Sequence, residues 1–277
     1  MPPMHRRTAR SRRVLVSAAM IAALGLAGCA TTAPSAPQAQ SGSVSSSGVP
    51  WSAQPTPSDG LVLDLPVPAS VSSIDFTNQA GQKVTLASLH GKTVVLTDFL
   101  TLCQEICPLT STNFRHMQNT VAQAGQTSDV EFVEITVDPE RDTPARLAAY
   151  QTLFGAKTNW QFLTASVAQI AATWKAFAVY YAKVAESPSP PQMDWMTGKP
   201  LTYDVNHQDV VIVLGPDGHE RWLILGTPNT GGAQPPSALV TFLNDEGHKN
   251  LAAPSAAGWT TAQVEQGIAY VSGHQLH

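Results

Sequence analysis

The run Thr93-Val94-Val95-Leu96-Thr97-Asp98-Phe99-Leu100 is apolar and β-branched, and it stops at a loop holding two cysteines and a proline. A strand of that composition belongs in the middle of a sheet, covered on both faces. Residues 109–124 follow with helical composition. Residues 130–137 predict a second strand. Thr143-Pro144 opens another helix, with Thr143 as N-cap and Pro144 in the first turn. Residues 160–164 read as a third strand. Ser166 and Gln169 form a capping box for the next helix, whose core positions are Val167, Ile170, Trp174 and Phe177. Residues 210–214 and 221–225 bracket the turn Gly215-Pro216-Asp217-Gly218, which predicts a hairpin. A second hairpin is expected earlier, with residues 73–76 and 83–86 around Asn78-Gln79-Ala80-Gly81. A helix near 235–246 would close the domain, and an amphipathic stretch at 260–272 reads as an appended helix. Strands alternating with helices, closed by an antiparallel hairpin, give an α/β fold: a mixed sheet flanked by helices.

Composition narrows the function. The chain has 277 residues, 43% hydrophobic and 13% charged, with only three cysteines. A disulfide-scaffold miniprotein and a polytopic membrane protein are excluded. Five arginines (Arg6, Arg7, Arg10, Arg12 and Arg13) stand in the first 28 residues without an acid. The remainder has 11 Lys+Arg against 20 Asp+Glu, a net −9. That balance argues against nucleic acid as a partner.

The N-terminus predicts export. The arginine-rich start precedes a short apolar run, residues 14–26, and then Leu26-Ala27-Gly28-Cys29. This last sequence resembles the bacterial lipobox, and the resemblance implies lipidation of Cys29 after removal of residues 1–28. Ser11-Arg12-Arg13-Val14-Leu15-Val16 also resembles a twin-arginine motif. Residues 29–59 are rich in Ser, Pro, Ala and Gln, with no charge from 30 to 58, and read as a flexible tether. The folded domain is expected over 60–248, with 249–277 as a C-terminal extension. The address is extracytoplasmic, at the cell membrane through a lipid anchor.

The cysteine loop reads Leu102-Cys103-Gln104-Glu105-Ile106-Cys107-Pro108. Pro108 disfavours a helical conformation at Cys107, so a regular helix is expected from Pro108, with Cys107 near its N-terminus. Free amides and the positive dipole end stabilise a thiolate there. Two thiolates converging on one point make a soft-metal site, a redox disulfide, or both; a plain structural disulfide is the bland reading. Its short loop removes little unfolded-state entropy, and the pair sits at the C-terminal end of a central strand, where α/β sheets place ligands.

Two further segments matter: Val137-Asp138-Pro139-Glu140-Arg141-Asp142-Thr143-Pro144, and Tyr203-Asp204-Val205-Asn206-His207 ahead of Pro216-Asp217-Gly218. With the cysteine loop they resemble the Sco/SenC family over roughly residues 60–246. The resemblance implies a membrane-tethered, thioredoxin-like copper protein that serves cytochrome c oxidase assembly. It implies copper, as Cu(I) or Cu(II), held by Cys103, Cys107 and His207, with Asp138 as a candidate neighbour of the metal loop. The implied partners are the copper-bearing subunit of the oxidase and a copper donor or thiol reductant. No residue is assigned a catalytic role. Gln104, Leu102 and Asn206 depart from the family's usual proline, histidine and aspartate.

The donor chemistry agrees. Thiolate is soft and selects Cu(I), zinc or iron–sulfur. Closed zinc sites and iron–sulfur clusters usually take four protein ligands, and three are evident. The competing expectation is an extracytoplasmic thiol–disulfide oxidoreductase or redox sensor using the Cys103/Cys107 pair, although the spacing is not the C-x-x-C of thioredoxins. Met193 and Met196 could receive Cu(I) or pin a loop. His116 is expected to face solvent, and His219 to be a hairpin residue.

Overall fold

The computed structural model describes residues 57–155, 158–186 and 191–276. Cys29, the signal segment and the tether up to residue 56 lie outside the described residues. The chain enters through β1 (Leu61–Pro66) and a short helix α1 (Ala69–Ser72). A hairpin of β2 (Phe76–Asn78) and β3 (Lys83–Val84) follows. The central units are β4 (Thr93–Phe99), α2 (Cys107–Gln123), β5 (Val130–Thr136), α3 (Pro144–Phe154), β6 (Trp160–Thr164) and α4 (Val167–Ala176). A second hairpin joins β7 (Tyr181–Ala185) to β8 (Tyr203–His207), and a third joins β9 (Val210–Leu214) to β10 (His219–Leu225). The C-terminal part holds β11 (Pro228–Asn229), α5 (Ser237–Phe242), α6 (Asp245–Ala252), β12 (Trp259–Thr260) and α7 (Thr261–Ser272).

Eight strands form one mixed sheet in the order β1-β10-β9-β4-β5-β6-β2-β3. β4, β5 and β6 are parallel; β9 runs antiparallel to β4, and β2 antiparallel to β6. This is the expected α/β class, a thioredoxin-like mixed sheet with helices on its faces. Every residue of β4, β5 and β9 is buried, as an apolar run covered on both sides requires. Phe99, Tyr150, Phe154, Trp160 and Phe162 stack edge-on and tilted between β4, β6 and α3, with centroids 5.1–5.9 Å apart, the offset geometry that ring quadrupoles favour.

Local signals explain most boundaries. Thr143 Oγ1 accepts the Arg146 amide to start α3, and Ser166 with Gln169 closes a capping box on α4. Asn78 Oδ1 accepts the amides of Ala80 and Gln82 and so folds the first hairpin turn.

Several features differ from the sequence reading. β1 adds an edge strand against β10. The helix expected near 235–246 is broken into α5 and α6, because Asn244 takes an extended backbone and caps the second helix through its side chain. The stretch at 260–272 is not appended: α7 packs on β4, β9, β10 and α2. Its Gly267 lies against the Trp222 ring, where a Cβ would stand 2.7 Å from ring carbons. In the 137–144 segment, Arg141 and Asp142 do not pair with each other. Arg141 binds the Asp138 carboxylate, donates to the Tyr203 carbonyl at 2.7 Å and lies 3.8 Å over the Tyr203 ring. Asp142 turns inward to Thr101 and Thr136.

Candidate metal centre

The antiparallel pairing of β9 with β4 builds the site. Because the two strands run oppositely, the start of β9 lies beside the end of β4: Thr97 is opposite Val211, and Thr97 Oγ1 donates to the Val210 carbonyl at 2.7 Å. His207, the last residue of β8, therefore arrives above the loop that leaves β4, a hundred residues away in sequence.

That loop is fixed from below. The Cys103 amide donates to the Leu100 carbonyl at 3.2 Å. The Thr101 hydroxyl donates to Asp142 at 2.5 Å, and Trp195 Nε1 donates to the Thr101 carbonyl at 2.7 Å. α2 begins at Cys107, with Pro108 in its first turn. The amides of Ile106 and Cys107 donate to Cys103 Sγ at 3.4 and 3.3 Å. A helix start thus directs its unpaired N–H groups at a sulfur.

Cys103 Sγ, Cys107 Sγ and a ring nitrogen of His207 all lie within 4.8 Å of one another. Both cysteines are free thiols and both are buried. His207 Nε2 is 3.3 Å from Cys107 Sγ, while Nδ1 is 2.5 Å from Asp98 Oδ2. With Nδ1 committed to a carboxylate, Nε2 is the nitrogen left to face the sulfurs, the arrangement that orients an imidazole ligand.

The electrostatics follow from burial and these partners. Burial disfavours the charged imidazole, but the Asp98 carboxylate outweighs it and raises the His207 pKa well above its usual value. Burial also disfavours a thiolate, yet hydrogen bonds from the Cys107 side and from His207, with the imidazolium charge, hold Cys103 well below the ordinary thiol range. Cys107 is pushed up by burial and by its neighbour Cys103. The neighbouring charges thus favour a thiolate at Cys103 over one at Cys107. Three donors of this kind can hold one soft metal ion. A cavity of about 220 Å³ opens onto Cys103 and His207, lined also by Gln104, Glu105, Ile106, Asp204 and Asn206.

The SCO1/SenC family model matches residues 67–230. The chain belongs to the SCO1/SenC family. It is 32% identical over 175 residues to the SCO1 protein homolog of Bacillus subtilis, a match covering 62% of this chain and 81% of that one. It is 30% identical over 152 residues to the mitochondrial SCO2 homolog of Bos taurus, covering 54% and 52%. It thus spans about half the length of that mitochondrial relative. Among solved structures, Arabidopsis thaliana ScoI with copper bound is 25% identical, covers 57% of this chain and 89% of that chain, and gives a TM-score of 0.48.

In this SCO1/SenC chain the three donors named from sequence meet. Asp138 sits elsewhere in the network: it is buried, held by Arg141, and accepts from the Tyr203 hydroxyl at 2.9 Å. The carboxylate that touches His207 is Asp98, which sequence reasoning missed. Its signal was visible as the one acid inside the apolar run 93–100. Met193 and Met196 are exposed, on a turn organised by Asp194, whose carboxylate pairs twice with Arg146 at 2.9 and 2.6 Å. His116 is exposed, and His219 stands 2.7 Å from Asp64.

Proposed function

We propose that this protein binds one copper ion through Cys103, Cys107 and His207 and delivers it to the binuclear copper centre of cytochrome c oxidase. The observation that carries the reading is the convergence of two thiols and one imidazole within 4.8 Å at the end of a central strand. Two sulfurs and a nitrogen suit Cu(I), and the donor set falls short of the four protein ligands usual in a closed zinc site. The ion is cargo, and the chain's own residues set how it is held. Cys103 supplies the first thiolate, His207 presents Nε2, and Asp98 keeps that nitrogen in place. The mouth at Gln104–Ile106 and 204–206 gives the ion a route out. Residues 1–28 serve as the export signal, and Cys29, lipidated, ties residues 29–59 and the domain to the outer face of the membrane.

The test is copper retention. The reduced chain is loaded without oxygen, desalted, and challenged with a Cu(I) chelator. One copper per chain is expected for wild type, no tight binding for Cys103→Ala or Cys107→Ala, and weakened binding with an altered Cu(II) spectrum for His207→Ala. A His207→Ala chain that holds both copper states like wild type would overturn the ligand assignment.

Two free thiols side by side, one of them accepting two amides at a helix start, support one second reading, a thiol–disulfide oxidoreductase. There Cys103 would attack a partner disulfide and Cys107 would resolve the mixed disulfide, releasing the partner as two thiols. Turnover with a disulfide substrate, alongside loss of copper to the chelator, would make this the leading account.

A further inference from the structure

The chain beyond residue 230 lies outside the family match, and it returns across the loop between the two cysteines. α5 ends at Phe242, and the turn into α6 is made at Leu243 and Asn244. Besides accepting the His248 amide on its carbonyl, Asn244 makes three hydrogen bonds there. Its backbone N–H donates to the Gln104 carbonyl at 3.0 Å. Its Nδ2 donates to Glu105 Oε1 at 2.9 Å, and its Oδ1 accepts the Gly247 amide at 2.9 Å to cap α6.

Gly247 lets the helix backbone come this close. A Cβ at 247 would fall inside the van der Waals envelope of the Gln104 carbonyl oxygen and 3.1 Å from Glu105 Cα. On the other side, Gln104 Nε2 donates to Glu186 Oε2 at 3.3 Å, just past β7. Gln104 is only 2% exposed. Two of the three residues between the cysteines are thus gripped by groups more than eighty positions away, and the third, Ile106, donates its amide to Cys103 Sγ.

We infer that Asn244, with Gly247, is a positioning residue for the cysteine pair: its two bonds hold the 104–105 loop in the dithiol arrangement and oppose closure to a disulfide. Forming the disulfide breaks two S–H bonds, makes one S–S bond, and releases two electrons and two protons to an oxidant. A disulfide also draws the two sulfurs to about 2.05 Å, a bond that the two free thiols do not make. The ties to residues 104 and 105 are made with the pair in its free-thiol form, and each of them weights the equilibrium toward the thiols. The inference deepens the proposed copper site but is read on the metal-free chain, so a failure of copper binding and a failure of this inference are separate results.

The experiment is a redox titration of the full chain in mixtures of glutathione and glutathione disulfide, with thiols counted after quenching. Glutathione disulfide takes the two electrons and two protons and becomes two glutathiones. Asn244→Ser keeps a capping oxygen for α6 but cannot reach Glu105. Gly247→Ala keeps the helix former and blocks the close approach. Lys249→Ala, on the same helix and paired with Glu246, is the control. Both strap variants are expected to shift the equilibrium toward the disulfide about tenfold, which is about 30 mV for a two-electron couple. Lys249→Ala is expected to match wild type. Strap variants that titrate within twofold of wild type, or a Lys249→Ala chain that shifts as they do, would overturn the inference.

Discussion

Single buried acids carry much of the chemistry. Asp98 is the one charged residue of its strand, whose other members are apolar or threonine, and its carboxylate is spent on His207. Asp98→Asn keeps the shape but removes the charge that holds the imidazole in place. Loss of such an outer partner typically costs 10–100-fold in metal affinity. That weakening is expected in the chelator competition, with the unfolding midpoint little changed. Glu134 is the second case. It is fully buried, accepting from Ser111 at 2.9 Å and Trp160 at 3.1 Å, and burial pushes its carboxyl up to about 8. The unfolded chain loses this proton near 4.5, so the folded state holds more protons between those values. Stability must therefore fall as pH rises from about 4.5 to 8. Glu134→Gln should remove that loss, on the order of a few kcal/mol at pH 8 and almost nothing at pH 4. Urea unfolding of both chains at pH 4, 6 and 8 checks it; a gap that does not widen with pH would count against the assignment. Neither acid's role is legible in sequence. An acid in an apolar run announces that it has a partner, but the partner comes from another strand or helix, which only the fold brings near.

At the scale of elements, local chemistry was legible wherever it was self-contained. The caps at Thr143 and Ser166, the Asn78 turn and the Gly215–Gly218 hairpin each use residues within four positions, and each forms as read. The hairpin of β7 and β8 was not legible, because its strands are half-exposed and separated by seventeen residues of irregular sequence. The break at Asn244 was hidden by Leu239, Phe242 and Leu243, whose spacing suits one continuous helix. Its signature was nonetheless present as a capping residue followed by Asp245 and Glu246, acids suited to a first turn. The role of α7 was missed because amphipathic spacing says that a helix packs, without saying on what. Gly267 gives that packing a test. Gly267→Ala adds a methyl group against the Trp222 ring, and overpacking of this kind costs roughly 1–3 kcal/mol despite the better helix propensity of alanine. Denaturant unfolding followed by tryptophan fluorescence should show the loss.

For the whole molecule, the family match and the folding unit have different ends. The match stops at residue 230, yet Val264, Ile268 and Val271 are buried by α7 on the sheet. A chain ending at 230 would expose Trp222 and one face of β9 and β10. It is expected to lose cooperative unfolding and to aggregate, measured by thermal melting and light scattering beside the full chain. A truncated chain that melts as sharply as the full one would show α7 to be dispensable. The α/β class itself was the most legible property, since alternation of strands and helices is a global pattern that survives local misreadings. His207 stands a hundred residues from Cys107 and reaches it only because β9 is laid against β4. That separation sets an order of events. While the chain is still unfolded the two sulfurs are neighbours, but the nitrogen is a stranger to them, so an ion caught early meets a pincer with two prongs. The third prong is supplied by tertiary assembly alone. On the proposed ligand set, loading at full strength comes after folding, and any event that peels β9 from β4 loosens a bound ion without touching a sulfur.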